Sequence, residues 1–354
     1  MKKAGAVTLQ TTGRAPSRCQ SNAGLGALLG IAVFSSGWSE GCPTRLASAA
    51  ASESASQTII MLNGPLADPY FGAMKQGSDA AAEALGISYQ YAAPSDIKNF
   101  VPDYTTLINQ AIGRKPDAIV IGNFVPSAFD PLIKKASVAG IPVVVVNTGL
   151  NTWQEDGAIG FVGFVPEGLG AAAGGASLQA GVRHLLCINH APVNPTLGVR
   201  CKAARERMAA AGGTVDELNI PFADSGNPAA VTQTIQGYLL SHSEIDGVLA
   251  LGSAIANNAV VAVQKAGKTG KVTIGTVTLS SSVLDAIANG EITYAVDEQP
   301  FLQGFYGIAM ASQYARYKVH PTAPILTGGL VIDKTNVNDV IAIQKQFPGL
   351  RGAE

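Results

Sequence analysis

The chain has 354 residues, a formal net charge of −1 and only 14% charged residues. A nearly neutral chain without a Lys/Arg cluster argues against nucleic acid or an anionic membrane surface as its main partner. The roughly 300 residues that follow position 50 are enough for two cores of ordinary domain size.

The N-terminal segment, residues 1–49, is predicted to be a signal peptide. Residues 2–18 contain four basic residues and no acidic one, and the apolar segment 23–34 is too short to span a bilayer. Residues 47–49 form an A-x-A cleavage site. Residues 50–57 are predicted to be a linker. We therefore expect a periplasmic protein.

The cysteines refine this expectation. Cys42 lacks an apolar residue three positions upstream, which makes lipoprotein anchoring the less favoured route. Only Cys187 and Cys201 remain after cleavage, and in an oxidising compartment they could form a disulfide. The alternative is two buried free thiols. Neither CxxC nor HExxH is present, so no metal site and no cofactor are predicted.

Apolar runs bounded by turn residues alternate with helical patterns along the rest of the chain. The predicted strands are 58–63, 87–91, 118–122, 143–147, 159–164, 185–189, 215–220, 247–251, 272–277 and 293–296. The predicted helices are 70–85, 103–112, 128–139, 169–180, 199–211, 229–240, 254–266, 281–288 and 301–317. Such alternation predicts an α/β protein with parallel sheets. The two groups of strands predict two doubly wound lobes, with a ligand bound at the carboxyl ends of the strands.

The first lobe carries neutral hydrogen-bonding groups and rings at its strand ends. Asn63 ends the first strand, and Asp68, Tyr70 and Phe71 begin the helix that follows. The mix suits a polyol or a sugar, because oxygens accept hydroxyl hydrogens and ring faces cover C–H groups. The alternative is that the carboxylate caps the helix and both rings belong to the core. Two further asparagines, Asn123 and Asn147, stand at the ends of the third and fourth strands.

The second lobe offers charged candidates. Arg200 opens a helix, where it opposes the helix dipole, so an acidic partner or a ligand would favour its placement. Asp297 and Gln299 follow the last strand. Of the four histidines only His190 lies at a predicted strand end, and no Gly-x-Ser-x-Gly motif is present, so we do not expect an enzyme.

Three segments carry a family resemblance over roughly residues 57–335. They are Asp68-Pro69-Tyr70-Phe71, Gly198-Val199-Arg200-Cys201-Lys202 and the run from Asp297 to Phe305, DEQPFLQGF. In these segments the chain resembles the ribose-binding-protein-like periplasmic binding proteins of sugar ABC importers. The resemblance implies a type I binding-protein fold with a three-segment hinge near Phe164, Glu298 and Pro324. It divides the chain into an N-terminal lobe (58–164 plus 298–323) and a C-terminal lobe (165–297 plus 324–345).

The resemblance also implies roles in the first lobe. Tyr70 and Phe71 would sandwich a sugar ring, and Asp68 would bind hydroxyl groups. Asn147 stands where the family often has Asp.

In the second lobe, the resemblance implies that Arg200 clamps the ring oxygen and a hydroxyl group. Asp297 or Gln299 would complete the contacts beside the hinge. The family usually carries an Asp after Gly275, whereas this chain has Thr276-Val277-Thr278, which leaves Thr278 as the candidate contact. Gly252-Ser253 replaces Asn-Asp, and Phe164-Val165 replaces a polar pair, so the cleft is expected to be less acidic and more apolar.

These features together predict an extracytoplasmic, monomeric solute-binding protein. It would capture a small neutral sugar, deoxysugar or polyol between the lobes and deliver it to ABC permease subunits. Two alternatives stay open: a ligand sensor for a chemoreceptor or histidine kinase, and a receptor for a non-sugar molecule. A related transcription regulator would need an N-terminal helix-turn-helix, where this chain has a leader instead.

Overall fold

The computed structural model describes residues 57–95 and 97–351. The expected signal peptide, Cys42 and all but the last residue of the expected linker lie outside the described residues. The strands are β1 (Ile59–Leu62), β2 (Tyr89–Ala92), β3 (Ala118–Gly122), β4 (Val143–Asn147), β5 (Gly160–Gly163), β6 (His184–Asn189), β7 (Thr214–Asn219), β8 (Gly247–Ala250), β9 (Thr273–Val277), β10 (Tyr294–Asp297), β11 (Ile325–Leu326) and β12 (Leu330–Asp333). The helices are α1 (Pro69–Leu85), α2 (Phe100–Gly113), α3 (Pro126–Val138), α4 (Pro166–Gln179), α5 (Pro195–Ala209), α6 (Pro228–Ser241), α7 (Ser253–Lys265), α8 (Ser281–Asn289), α9 (Pro300–Tyr317) and α10 (Val337–Gln346).

These strands form two six-stranded sheets, one in each lobe. The first sheet has the order β11-β5-β4-β3-β1-β2 and is parallel throughout. The second has the order β12-β10-β9-β8-β6-β7, and only β12 runs antiparallel to its neighbour. The central strands β3 and β4 are buried along their whole length, as expected for a parallel sheet covered by helices on both faces. The expected α/β class with two doubly wound lobes is confirmed.

The chain passes between the two sheets after β5, after β10 and after β11. The third passage differs from the expectation at Pro324. Ile325 and Leu326 pair in parallel with Val162 and Gly163 of β5, so they belong to the first sheet. The change of lobe therefore follows Leu326. Neither β11, β12 nor α10 was predicted from the sequence.

Close helix contact holds α1 against α9 in the first lobe. A Cβ atom added at Gly77 would lie 1.9 Å from the Phe301 carbonyl oxygen, and one added at Gly304 would lie 1.9 Å from the Met74 carbonyl oxygen. Glycine is required at both positions because the two backbones are already in contact. This contact places Gln303 of α9 beside the first turn of α1, which carries a predicted ligand contact.

In the second lobe a disulfide joins Cys187 in the middle of β6 to Cys201 in α5. Both cysteines are fully buried. Because His190 directly follows β6 and α5 carries Arg200, the crosslink fixes the segments that carry these two residues relative to each other.

Within residues 57–95 and 97–351, the structure has no helix with the length and apolar character needed to cross a bilayer.

Candidate ligand-binding cleft

A cavity of about 540 Å³ lies between the two lobes at the carboxyl ends of their strands. Six of the predicted contacts line it: Asp68, Tyr70, Phe71, Asn147, Arg200 and Thr278. Sequence reasoning missed several other lining residues, among them Phe100, Phe124, His190, Phe222 and Glu298. The topology therefore brings both lobes' strand ends to one place, as expected for doubly wound sheets.

The helix α1 begins at this cavity. The Asp68 side chain accepts a hydrogen bond from the Tyr70 backbone N–H at 3.0 Å, and Pro69 is the first helical residue. Both features are typical of helix starts. The capping role that was the alternative for Asp68 is thus present, and the residue also lines the cavity.

Tyr70 belongs to a buried hydrogen-bond chain. Its hydroxyl donates to Gln303 Oε1 at 2.9 Å and accepts from Asn147 Nδ2 at 2.6 Å. Gln303 Nε2 in turn donates to the Glu298 carbonyl oxygen at 3.0 Å and to Thr327 Oγ1 at 3.1 Å. Burial raises the pKa of the Tyr70 hydroxyl well above its usual value, so it stays protonated as a donor. The chain links the cleft to the second and third hinge segments.

The implied sandwich of a sugar ring between Tyr70 and Phe71 does not match the geometry. The two rings are 5.3 Å apart with an interplanar angle of 82°, so they contact each other edge to face. Phe71 also meets Phe124 edge to face at 5.7 Å. Adjacent side chains on a helix diverge, which leaves no parallel slot between them. The two rings, together with those of Phe100 and Phe124, instead form an aromatic wall of the cavity on the first lobe.

Arg200 has an acidic partner, as expected, but it does not open the helix: α5 begins at Pro195, so Arg200 is its sixth residue. Its guanidinium forms a buried ion pair with the Glu298 carboxylate, and the Thr278 hydroxyl donates to Glu298 Oε2 at 2.6 Å. The guanidinium carbon also lies 4.5 Å from the centre of the Phe164 ring, a cation–π contact. Phe164 and Glu298 stand in the first two hinge segments, so Arg200 of α5 is held by the hinge.

Two non-glycine residues at equivalent strand ends have left-handed backbones. Asn147 ends β4 with φ 68°, and Thr278 directly follows β9 with φ 99°. These strands occupy the same place in the order of their sheets. Such a φ is unusual for a β-branched residue, and strained residues of this kind cluster at functional sites. Both side chains line the cavity.

The two lobes touch at the rim of the cleft, away from the hinge. Phe100 of the first lobe packs edge to face on Phe222 of the second, with ring centres 5.9 Å apart. A Cβ atom at Gly226 would lie 3.0 Å from Ile97 Cδ1, which is a second contact across the cleft. The cavity is therefore bounded by the hinge on one side and by this aromatic contact on the other.

Asn63 and Asn123 do not line the cavity, contrary to prediction. Asn63 is fully buried, and its Nδ2 lies 2.5 Å from the sulfur atom of Met74. Asn123 Nδ2 donates to Asp130 Oδ1 at 2.6 Å and to Thr152 Oγ1 at 3.2 Å. Both amides stabilise the loops at the sheet edge, which is the other common use of a polar residue there.

Asp297 and Gln299 do not line the cavity either. Asp297 Oδ1 accepts from the Gln299 N–H at 2.9 Å and its Oδ2 pairs with Arg351 at 3.0 Å, while Gln299 Oε1 accepts from the Gly328 N–H at 3.1 Å. Burial raises the pKa of the Asp297 carboxyl, against the lowering effects of the Gln299 hydrogen bond and Arg351. The residue between them, Glu298, faces the cavity instead. Alternation of side chains along an extended segment could have indicated this choice.

The fold and the cleft define a class of binding proteins, and comparison with known families gives the same result. Residues 59–318 match the model of the periplasmic binding protein domain family. The chain belongs to this family, which confirms the resemblance read from the sequence. Members are described as binding proteins, in agreement with the expected non-enzymatic role, and the family implies an extracytoplasmic location.

Individual relatives are similar over most of the chain. A carbohydrate transporter from Acidothermus cellulolyticus, solved in complex with myo-inositol, is 29% identical with a TM-score of 0.75, and the match covers 84% of this chain and 100% of that one. A xylose/arabinose-binding protein from Sulfolobus acidocaldarius is 24% identical over 70% of this chain, and the match spans 63% of that protein. A xylitol-binding protein from Mycolicibacterium smegmatis is 23% identical, over 75% of this chain and 74% of the relative.

Proposed function

We propose that the protein is a periplasmic receptor that captures a neutral polyhydroxylated ligand, a sugar, deoxysugar or polyol, in the cleft between its lobes. It then delivers the ligand to the permease subunits of an ABC importer, acting as a monomer. One observation carries the proposal: the rings of Tyr70, Phe71 and Phe124 on the first lobe line the cavity together with Arg200 of the second lobe, which pairs with Glu298 of the hinge. Aromatic faces cover C–H groups, while the guanidinium and carboxylate bind hydroxyl groups.

The charges of the cleft favour a ligand without a negative charge. Glu298 neutralises the guanidinium of Arg200, and Asp68 adds a carboxylate on the opposite side. Burial and the charge of Arg200 lower the pKa of His190 to about 4, so it adds no positive charge near neutral pH. An anion would therefore meet no uncompensated cation among these lining groups, and its desolvation would be unfavourable.

The relatives supply the probes that test this proposal. The similar proteins are described as holding myo-inositol, xylose or arabinose, and xylitol. Thermal unfolding and isothermal titration with myo-inositol, xylitol, D-xylose and L-arabinose should yield at least one binder. A ligand at a hundred times its dissociation constant stabilises the fold by about 2.7 kcal/mol.

A matched pair of arginines on α5 provides the control. Arg200→Ala should weaken binding at least tenfold, because a charged hydrogen-bond donor to the ligand is lost. Arg207→Ala, on the exposed face of the same helix, should leave the affinity unchanged. If folded wild-type protein binds none of the probes, the sugar or polyol proposal is wrong.

Delivery to a permease needs a separate experiment. The ligand-loaded receptor should stimulate the ATPase of its cognate ABC importer in proteoliposomes more than the ligand-free receptor does. Closure of the lobes around the ligand is the physical reason, since only the closed form presents both lobes in one arrangement. Equal stimulation with and without ligand would contradict this part of the proposal.

A further inference from the structure

His190 directly follows β6 and lines the cavity on the second lobe. Its Nδ1 atom is buried and has no hydrogen-bond partner among the described residues. The polar neighbours on this edge are satisfied within their own lobe. Asn189 bonds to Glu217 and to the Ala191 N–H, and Asn194 caps α5 through the Thr196 N–H. The ring nitrogen of His190 is thus unlike the amides beside it.

A second unpaired nitrogen lines the same part of the cavity. Arg200 Nε is also buried without a hydrogen-bond partner in the described part of the chain, although its Nη2 pairs with Glu298. Buried polar atoms are nearly always hydrogen-bonded in folded proteins. Of the six buried side-chain atoms without a partner in the described part of the chain, these two are the ones in residues that line the cavity. Their shared position in one lobe, at one cavity, favours a ligand as the missing partner.

The backbone under the imidazole leaves room for it. Gly252, the residue before α7 in the loop that follows β8, lies against the ring, and a Cβ atom there would be 3.1 Å from His190 Cε1. The φ of Gly252 is −177°, an extended value open to any residue. Glycine at this position is therefore not required by the backbone conformation, and a larger residue there would crowd the His190 ring.

The imidazole is neutral near pH 7, because burial and the positive charge of Arg200 disfavour its protonation. A neutral imidazole has one nitrogen that accepts and one that donates a hydrogen bond. A ligand hydroxyl group can donate to the accepting nitrogen or accept from the donating one. The other titratable residues that line the cavity are Asp68, Tyr70, Arg200 and Glu298.

We propose that His190 is a specificity-determining residue that hydrogen-bonds one hydroxyl group of the bound sugar or polyol, next to the group held by Arg200. This assignment rests on the proposed function. It supplies a second-lobe polar contact in a cleft where the stretch after Gly275, Thr276-Val277-Thr278, provides no carboxylate. Replacement of His190 should thus change which hydroxyl pattern the protein binds.

Isothermal titration of the full chain with myo-inositol and xylitol tests the assignment. His190→Phe keeps the ring shape and removes both nitrogens, and it should weaken binding at least tenfold. His190→Ala, which needs less space, should show the same loss. His190→Asn returns a polar atom near the position of Nδ1 and should recover most of the affinity. His184→Phe is the matched control, since His184 is exposed at the opposite end of β6.

Monodeoxy analogues of myo-inositol and xylitol separate a hydrogen bond from a structural effect. For the analogue that lacks the partner hydroxyl, His190→Phe and wild type should bind equally. A loss of the same size for every analogue would assign His190 a structural role and overturn the proposal, as would a His190→Phe affinity within twofold of wild type. If the wild type binds only D-xylose or L-arabinose, the same variants and the deoxy analogues of that sugar are used; wild-type protein that binds none of the four probes would overturn the proposed function and this assignment together.

Discussion

The two lobes build the same cleft edge from different chemistry. Each sheet has six strands. In each lobe the helix after the first strand begins with a proline that follows an N-cap residue, Asp68-Pro69 in α1 and Asn194-Pro195 in α5. The first lobe lines the cavity with rings, and the amide of its lining residue Asn147 donates to the Tyr70 hydroxyl. The second lobe contributes Arg200 and His190, each with an unpaired nitrogen. The same fold thus provides apolar contacts to a ligand from the first lobe and polar contacts from the second.

Among the predicted changes in stability, breaking the buried Arg200–Glu298 ion pair should have the largest effect. Glu298→Ala leaves the guanidinium of Arg200 buried without its carboxylate, so the free energy of unfolding should fall by about 3 to 5 kcal/mol. Removing the first lobe's central hydroxyl with Tyr70→Phe should cost less, about 1 to 3 kcal/mol, because it breaks only neutral hydrogen bonds. Urea unfolding measures both values.

The double variant Arg200→Leu with Glu298→Leu completes this test. It should recover part of the stability, since no charge stays uncompensated, and it should not bind ligand. If Tyr70→Phe lowers the free energy of unfolding more than Glu298→Ala does, the predicted order of the two effects is wrong.

The disulfide should give the next largest effect, confined to the second lobe. Cys187 and Cys201 are separated by 14 positions, and closing a loop of this length is worth about 3 kcal/mol. In the variant with alanine at both positions, amide hydrogens of β6 and α5 should exchange faster, whereas those of β1 and α1 should not change. Equal acceleration in both lobes, or free thiols in periplasmic protein by mass spectrometry without reductant, would contradict this prediction.

The smallest effect concerns pH and His190. Its pKa is about 4 in the folded chain, below the usual 6.5, so between these values the unfolded chain binds more protons. Stability should therefore fall as pH is lowered from 6.5 towards 4, by about 1 kcal/mol at pH 5.5 from this group. Urea unfolding at pH 7.5 and 5.5 should show a smaller drop for His190→Asn than for wild type. Equal drops would mean that His190 titrates normally in the folded protein.

Sequence patterns predicted the sheets better than the site. The ranges of β3 and β4 match their predictions, since both strands are short apolar runs bounded by turns. The pair β11 and β12 was missed because a strand of two residues has no periodic signal. In the site, Asn63 and Asn123 are polar residues at strand ends like Asn147, and only the three-dimensional structure distinguishes internal from ligand-facing use. His190 was noticed for its position, but its unpaired nitrogen is visible only in the structure.

The hydrogen-bond chain from Asn147 through Tyr70 and Gln303 to Thr327 has a consequence for how ligand preference can evolve. A substitution at Tyr70 changes a cavity-lining side chain and also the hydrogen bonds of the hinge segments about which the lobes rotate. Ligand preference and lobe closure therefore change together at this position. His190 rests on Gly252 and has no such connection through Nδ1. New preferences can therefore be acquired at His190 by a single substitution while the rotation of the lobes is conserved.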